Sequence, residues 1–440
     1  MRTKIILLAL VSFAGSAFGQ TYVAKPGYPL SKADEIKFFS ITKEAEDEYI
    51  RELFRNIANL ALVPPKINTN PEPKYDLDQQ TYVMSLTNEV TPKGRHWVAW
   101  IGNEDGPKSI ILAARSDDDG KTWSRPCLVI DAHIPNFPVG RKNIIGNFWK
   151  DPSGRLWLFF DQSMNHHDGR GGLWYTICDN PDAADPSWSE PKRIWHGAML
   201  NKPTVLSSGE WLLCSYLLQT WRNAPAMFPE LEEYRGVNLL ASKDQGQTWE
   251  LRSVQKFPNP AWHEAMVVEK QNGQLWMKTR TRRGIMETFS DDKGYTWTEP
   301  VPSKVQHPNA RFFFRKLASG RILLVKNGEN LYEHNVTRVG EGTTELSNPT
   351  LFGRNQFSVW LTEDEGKTWK GGLLIDERDR VSYPDGTQTQ DGTIYISYEH
   401  NRGEDGEILM AKITEEDILA GRIVNPNSQL KIPVIKPGKK

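Results

Sequence analysis

Residues 116–123 read Ser-Asp-Asp-Asp-Gly-Lys-Thr-Trp, and the pattern Ser/Thr-x-Asp-x-Gly-x-Thr-Trp recurs at residues 242–249, 290–297 and 362–369. In each copy the Asp can accept hydrogen bonds across a tight turn, and the Gly supplies a backbone conformation that other residues resist. The Trp can pack beneath that turn. A degenerate fifth copy runs from Thr176 to Trp188. Repetition of this kind indicates a protein built from similar supersecondary units.

A second repeat lies in step with the first. A Gly turn precedes an apolar, strand-like run six times, at intervals of 47 to 72 residues. Each interval suits one four-stranded unit with its loops. The turns lie at Gly94, Gly154, Gly209, Gly273, Gly320 and Gly392. The sequence therefore predicts an all-β fold, a six-bladed β-propeller over residues 67–424, followed by an extended tail over residues 425–440.

The N-terminal residues are typical of an export signal followed by an extension. Residues 1–19 combine a basic start, an apolar stretch and a small-residue cleavage site. The apolar stretch is short for a membrane span, which needs about 20 residues. Residues 20–66 form an N-terminal extension, in which apolar residues at helical spacing predict a helix over residues 43–61 that packs on the propeller. We therefore expect an exported chain, periplasmic or extracellular, whose mature form has no transmembrane span.

The composition argues against several kinds of partner and cofactor. The formal net charge is -1 and the pI is near 6.8, which gives no electrostatic case for binding nucleic acid. The three cysteines lie at unpaired spacings, so neither a disulfide framework nor a metal site is indicated. His166 and His167, beside Asp168 in a Gly-rich loop, favour a substrate contact at the rim over a metal site. We expect no metal and no cofactor.

Candidate ligand-binding residues follow from the predicted architecture. In a propeller the first strand of each blade lines the central channel, and its first residues open at one face. These strands precede the Gly turns, so polar residues seven to eleven positions before a Gly are expected to converge on the channel mouth. They are Asn147, Lys202, Glu264, Asn309, Arg311, Tyr383 and Asp385.

The repeats resemble the Asp boxes of sialidases over roughly residues 75–415, and further positions are similar to that family. Asp105 lies 11 residues before Ser116, where sialidases carry an acid/base Asp. Residues 263–269 are similar to the stretch that holds the family's catalytic Glu. The family's first Arg, which a late Glu normally braces, has no counterpart in residues 79–84. The full matched set is Asp105, Glu264, Arg280, Arg354, Tyr383 and Glu399.

The resemblance implies an enzyme, a retaining exo-glycosidase that hydrolyses a terminal acidic sugar, with sialic acid as the leading candidate. Tyr383 would be the nucleophile and Glu264 its base, because a phenol with a reference pKa of about 10 is a weak nucleophile by itself. Asp105 would protonate the leaving oxygen. Arg280 and Arg354 would bind the sugar carboxylate by forked hydrogen bonds, with Glu399 beside them.

The missing first Arg leaves alternatives open. The same scaffold could act on another acidic sugar, as a glycosidase or as a lyase that cleaves a uronate linkage by elimination. Asp boxes also occur in propellers without catalysis, so a glycan-binding propeller is the third alternative. In all three cases the expected partner is a glycan or an oligosaccharide.

Overall fold

The computed structural model describes residues 55–438, apart from residues 136, 138–139, 145, 165–169, 219–227, 263, 333–352 and 403–405. Its strands form six antiparallel sheets, each built from strands that follow one another in the chain. The strand Met84–Val90 of the first sheet contacts Gly146–Lys150 of the second sheet and Val381–Gln388 of the last sheet, so the sheets close into a ring. The predicted six-bladed β-propeller is confirmed.

Blades 1 to 3 are formed by the first half of the ring. Blade 2 holds five strands, because a two-residue strand pairs with the end of its longest strand. The strands are β1 (Met84–Val90), β2 (His96–Gly102), β3 (Ile110–Ser116) and β4 (Leu128–Ile130) in blade 1; β5 (Arg141–Lys142), β6 (Gly146–Lys150), β7 (Leu156–Met164), β8 (Gly172–Cys178) and β9 (Lys192–Trp195) in blade 2; and β10 (Thr204–Val205), β11 (Trp211–Leu217), β12 (Gly236–Ser242) and β13 (Glu250–Gln255) in blade 3.

Blades 4 to 6 repeat the same order, with the strand nearest the channel first and the outer strand last. The strands are β14 (Met266–Glu269), β15 (Leu275–Thr281), β16 (Gly284–Ser290) and β17 (Val301–Pro302) in blade 4; β18 (Phe313–Lys316), β19 (Ile322–Asn327), β20 (Asn355–Thr362) and β21 (Lys370–Asp379) in blade 5; and β22 (Val381–Gln388), β23 (Ile394–His400), β24 (Glu407–Ile413) and β25 (Gln429–Ile435) in blade 6.

Helices play a minor part in the described residues. Short 3-10 helices lie in the connections, residues 55–59 are α-helical, and a two-turn α-helix lies in blade 6. None of the described helices is long and apolar enough to cross a membrane. The 3-10 helices are Leu60–Leu62, Pro73–Tyr75, Leu77–Gln79 and Pro229–Tyr234, and the α-helix of blade 6 is Glu415–Ala420.

The described part of the N-terminal extension packs on the propeller. Residues 55–59 are helical and continue into the 3-10 turn at Leu60–Leu62. Ala58 is fully buried in an apolar cluster that includes Met164 of β7. The earlier part of the helix predicted over residues 43–61 lies outside the described residues, as does the predicted export signal, so both stay predictions.

The last blade ends later than the sequence predicted. β25 pairs with β24, so the predicted tail over residues 425–440 contains the outer strand of blade 6. This blade has no Asp box before its outer strand, and the helix Glu415–Ala420 takes that place. Asp417 holds the connection by accepting hydrogen bonds from the N–H groups of Val424 (2.7 Å) and Asn425 (2.8 Å). Because the repeat signal is absent here, the predicted boundary at residue 424 is wrong.

All four Asp boxes form the predicted turn with the same pattern of hydrogen bonds. In the first, Asp118 accepts hydrogen bonds from the hydroxyl (2.7 Å) and the N–H (2.9 Å) of Thr122. Ser116 Oγ accepts one from the N–H of Gly120 at 3.0 Å. Gly120 has a φ of +76°, in the left-handed region that glycine tolerates best. The bonds from Thr122 lower the pKa of Asp118 to about 2, so this carboxylate stays charged in mild acid.

Tryptophans fill the space between neighbouring blades. Trp149 of β6, Trp157 of β7 and Trp211 of β11 are almost fully buried in one cluster. The rings of Trp149 and Trp211 meet edge to face, with centroids 4.7 Å apart. Gly246, in the Asp box of blade 3, lies against this cluster, and an added Cβ would come within 2.6 Å of Trp157. The Asp box of one blade thus packs on the core of the blade before it.

Candidate active site

Tyr383 lies near the start of β22, the channel strand of blade 6, and its backbone is strained. Its φ is +56°, which is uncommon for an aromatic residue and costs about 1–2 kcal/mol. Pro384 follows and has no N–H for the ladder, and the pairing of β22 with β23 shifts register between Ser382 and Asp385. Backbone strain of this kind concentrates at functional sites. It marks Tyr383 as the centre of the candidate site.

Three arginines surround the Tyr383 side chain. The guanidinium carbon of Arg402 lies 4.6 Å from the centroid of the ring, and that of Arg354 lies 5.6 Å from it. Burial opposes the charge of Arg280, but Glu264 and the neighbouring Tyr383 outweigh that effect and raise its pKa. Arg280 belongs to β15 in blade 4, Arg354 directly precedes β20 in blade 5, and Arg402 follows β23 in blade 6. The ring of blades therefore gathers three positive charges around one phenol.

Glu264 lies in the interior of this group. Its Oε1 is 2.8 Å from Nη1 of Arg280, and both side chains are almost fully buried. Its Oε2 is buried and has no hydrogen-bond partner among the described residues. Asn309 orients Arg280, since its Oδ1 accepts a hydrogen bond from Nε of Arg280 at 2.8 Å. Arg280 thus pairs with the Glu264 carboxylate beside Tyr383, and the second carboxylate oxygen is left without a partner among the described residues.

Arg402 is the residue that the sequence analysis missed. Its Nε lies 3.1 Å from Oε1 of Glu399. Glu399 also accepts hydrogen bonds from Oγ of Ser382 (2.7 Å) and from the N–H of Ser85 (3.0 Å). The resemblance led us to expect a Glu that braces an Arg from the first blade, whereas Glu399 braces an Arg from its own hairpin. The sequence feature that could have identified Arg402 is its spacing from Glu399, three residues earlier across a turn.

The arginines differ in how their charge is balanced. Burial opposes the charge of Arg402, but the acidic groups around it, Glu399 foremost, outweigh that effect and raise its pKa. Burial lowers the pKa of Arg354 to about 9, and the like charges of Arg402 and Arg280 add to this effect. Nε of Arg354 is buried without a hydrogen-bond partner among the described residues. The site therefore carries positive charge that an anion would stabilise.

Asp105 lies on the solvent side of the same group, in the loop between β2 and β3. Its side chain is 52% exposed, and its Oδ2 is 3.8 Å from Nη1 of Arg402. Tyr82 lies next to it: burial raises the pKa of Tyr82, and the charges of Arg402 and Asp105 act on that phenol. Glu264 meets Arg280 in the interior, whereas Asp105 meets Arg402 near solvent. The two acids are therefore in different environments.

Tyr216 of β11 adds a second phenol that the sequence did not single out. Burial raises its pKa well above the usual value, and the charges of Glu264, Asp161 and Tyr383 reinforce the rise. Its Oη, together with Oγ of Ser163, is buried without a hydrogen-bond partner among the described residues. Both residues line a small cavity between blades 2 and 3. No repeat or motif marks them, because they are ordinary positions within strands.

Four of the predicted substrate ligands are buried. Asn147, Arg311 and Asp385 are fully buried, and Lys202 is 8% exposed. Asp385 is shared: its Oδ2 lies 3.2 Å from Nζ of Lys202, and its Oδ1 lies 3.3 Å from Nη2 of Arg311. Their predicted part in binding substrate at the channel mouth stays a prediction. Charges enclosed by the channel strands pair with one another, as buried charges must.

Two further predictions concern a substrate contact at the rim and the absence of a metal site. His166, His167 and Asp168 lie outside the described residues, so their predicted contact with substrate stays a prediction. Within the described ranges, no group of three or more His, Cys, Asp or Glu side chains is arranged to hold a metal ion. The described site is thus built from arginine, tyrosine and carboxylate groups.

A six-bladed propeller with Asp-box turns, and with a tyrosine enclosed by three arginines at one end of its channel, defines a protein of the sialidase superfamily. More narrowly, the chain belongs to the family of BNR repeat-like domains, whose family model matches residues 94–396.

Known proteins show the same relationship. The chain is 24% identical over 343 residues to a sialidase of Bacteroides fragilis strain YCH46, and the match covers 71% of this chain and 58% of that relative. The solved structure of Hadza microbial sialidase Hz136 has a TM-score of 0.52 at 18% identity, covering 73% of this chain and 64% of that one. The intramolecular trans-sialidase from Ruminococcus gnavus has a TM-score of 0.54 at 14% identity, covering 81% and 99%. At these identities the structural likeness concerns the fold.

Proposed function

We propose that the protein is an exported, retaining exo-glycosidase that removes a terminal acidic sugar from glycans, sialic acid being the first substrate to test. One observation carries this proposal: Arg280, Arg354 and Arg402 enclose Tyr383, and Arg354 lacks a carboxylate to balance its charge. A sugar carboxylate would supply that balance through forked hydrogen bonds. The matching family and the relative named as a sialidase support the glycosidase class.

The first half of the proposed reaction transfers the sugar to Tyr383. The phenol oxygen forms a bond to the anomeric carbon while its proton passes to the unpartnered Oε2 of Glu264. Asp105 gives its proton to the glycosidic oxygen as that bond breaks, and the rest of the glycan leaves. A neutral nucleophile suits a sugar whose carboxylate adjoins the reacting carbon, because a carboxylate nucleophile would be repelled by it.

The second half releases the sugar with water. Asp105, now charged and half exposed near solvent, takes a proton from a water molecule that attacks the anomeric carbon. The bond to Tyr383 breaks, and the proton held by Glu264 returns to the phenol oxygen. Two displacements at the same carbon retain its configuration. Arg280, Arg354 and Arg402 hold the sugar carboxylate throughout.

The experiment assays the full chain on fluorogenic sialosides and uronosides and on sialylated oligosaccharides, and identifies the products. We expect free acidic sugar from the wild-type protein and a loss of about 10²-fold or more in Tyr383→Phe, since the bond-forming oxygen is gone. Mass spectrometry of protein quenched during turnover should find the sugar on the peptide that contains Tyr383.

Tyr395→Phe is the matched control. Tyr395 lies in the same blade, but its hydroxyl bonds Asp119 of the first Asp box at 2.7 Å and takes no part in the candidate site. Full activity in a folded Tyr383→Phe protein would contradict the proposal. So would an unsaturated product absorbing in the ultraviolet, which indicates elimination, or binding of the glycans without turnover.

A further inference from the structure

The end of the channel away from Tyr383 holds a cavity. Tyr383 and Gln388 lie near opposite ends of β22, about 15 Å apart along an extended strand. Around the far ends of β1, β6, β18 and β22 lies a cavity of about 230 Å³, which we call the distal cavity. That volume far exceeds the roughly 10–15 Å³ that one water needs, and it lies below the range of about 300–1,000 Å³ typical of drug-sized ligands.

The lining of the distal cavity is strongly basic. It contains Lys150, Lys202, Arg315 and Lys316, and Glu89 is its one acidic residue. Lys202 is held by ion pairs, since its Nζ lies 3.0 Å from Oε2 of Glu89 and also contacts Asp385 behind the wall.

The other three cations are held by carbonyl groups. Nζ of Lys150 donates to the carbonyl of Val90 at 2.7 Å, and Nη1 of Arg315 donates to that of Pro203 at 3.3 Å. Nζ of Lys316 donates to the backbone carbonyl of Glu269 at 2.9 Å. Carbonyl oxygens orient these groups without neutralising them.

The charges around the distal cavity do not balance. Four cations face Glu89 and, behind the wall, Asp385, which Arg311 also shares. Burial lowers the pKa of Arg315, with Glu89 and Asp385 only partly opposing the effect. Lys202 is buried, Lys150 and Arg315 are half-buried and Lys316 is exposed, so the cavity carries an excess of about two positive charges that an anion would balance.

We propose that the distal cavity is a binding site for a small divalent oxyanion of the phosphate or sulfate type. Such an ion matches the excess charge, and lysine and arginine donors around a half-enclosed space are the groups that bind it best. The site is separate from the candidate active site, because the buried network of Asp385, Lys202 and Arg311 lies between the two ends of the channel. It goes beyond the proposed glycosidase activity and does not depend on it.

The test measures binding of inorganic phosphate and of sulfate to the full chain by titration calorimetry, with sodium chloride at matched ionic strength to remove general screening. We expect saturable binding of both ions, and a rise in melting temperature that follows ligand concentration. Arg315→Gln should weaken this binding by about tenfold or more, since one charge-assisted hydrogen bond is lost. Activity on glycans should not change.

Two controls locate the ion. Lys121→Gln removes an exposed lysine on the first Asp-box turn, outside the distal cavity, and should leave binding unchanged. Arg402→Gln alters the other end of the channel and should also leave it unchanged. Binding that Arg402→Gln abolishes and Arg315→Gln spares would overturn the proposal, as would no saturable binding of either ion. If Arg315→Gln does not fold, the exposed Lys316→Gln replaces it under the same expectations.

Discussion

At the scale of single residues, the site depends on how each charged group is partnered. Glu399 holds Arg402 through one oxygen and is itself held by Ser382 and Ser85. Arg354, which contacts Oγ of Ser382 at 3.4 Å, has no comparable acid. Arg402 is therefore paired with an acid of the protein, whereas Arg354 is available to pair with an anionic ligand.

Replacing Arg402 tests its part in holding an acidic substrate. Arg402→Gln should lower kcat/KM on an acidic glycoside by about 10- to 100-fold, because a charged hydrogen bond worth about 1.5–3 kcal/mol is lost. Arg402→Lys keeps the charge but loses the forked geometry, and should lie between Gln and wild type. Steady-state kinetics measure both variants.

The control is Arg422→Gln, an exposed arginine near the end of blade 6. It should keep wild-type kinetics. Unchanged kcat/KM in Arg402→Gln would show that this side chain only braces the hairpin, and would leave the sugar carboxylate to Arg280 and Arg354.

At the scale of elements, the Asp box works as a joint between blades as well as a turn. Gly366, in the box of blade 5, has a φ of +89°, and an added Cβ would lie 2.2 Å from the ring of Trp276 in blade 4. Gly392, in the hairpin of blade 6, also has a φ of +89°, but nothing lies within 4 Å of an added Cβ. The chain thus offers two glycines with the same backbone and different surroundings.

Alanine substitutions at these two glycines distinguish the free-energy cost of backbone strain from the cost of disturbed packing. Gly392→Ala should lower the free energy of unfolding by about 1–2 kcal/mol, the cost of a left-handed conformation for an L-residue. Gly366→Ala should lower it by about 1–3 kcal/mol more, because the methyl group also displaces the Trp276 ring. Urea unfolding followed by tryptophan fluorescence measures both. Equal losses would mean that the Asp box does not bear on the neighbouring blade.

At the scale of the whole molecule, polar bonds across the channel tie the ends of the ring together. Oδ2 of Asp385 accepts hydrogen bonds from Oγ1 of Thr87 (2.9 Å) and the N–H of Asn88 (3.0 Å), so blade 6 bonds to blade 1. The same carboxylate pairs with Lys202 and Arg311, which come from other parts of the ring. One buried acid therefore connects four separate stretches of chain.

Removing the charge of Asp385 should weaken the ring as a whole. Asp385→Asn should lower the free energy of unfolding by about 3–5 kcal/mol, because Lys202 and Arg311 would stay buried with less opposite charge. Asp105→Asn, at an exposed acid of the site, should change it by about 0.5 kcal/mol or less. Thermal or chemical unfolding measures both. A loss in Asp385→Asn no larger than in Asp105→Asn would refute the role assigned to the network.

The sequence by itself determined the blade count. Asp boxes and Gly turns are local signals carried by a few adjacent residues, so they can be recognised without knowledge of the fold. In blade 6 this local signal is missing, because a helix takes the place of the Asp box before the last strand. The predicted boundary at residue 424 is therefore wrong. The resemblance also singled out Glu264, Arg280, Arg354 and Tyr383, which the structure brings together and whose chemical roles stay predictions.

Only the tertiary structure decided which polar residues lie around Tyr383 and which pair with one another inside the ring. Lys202, Arg311 and Asp385 follow the same spacing rule as Glu264, yet they pair with one another, because buried charges must be balanced. Arg402 lies near the Tyr383 ring because a hairpin folds back beside β22, a proximity that spacing along the chain does not reveal. The physical reason is that a turn is a local property, whereas burial and the balance of charge belong to the assembled ring.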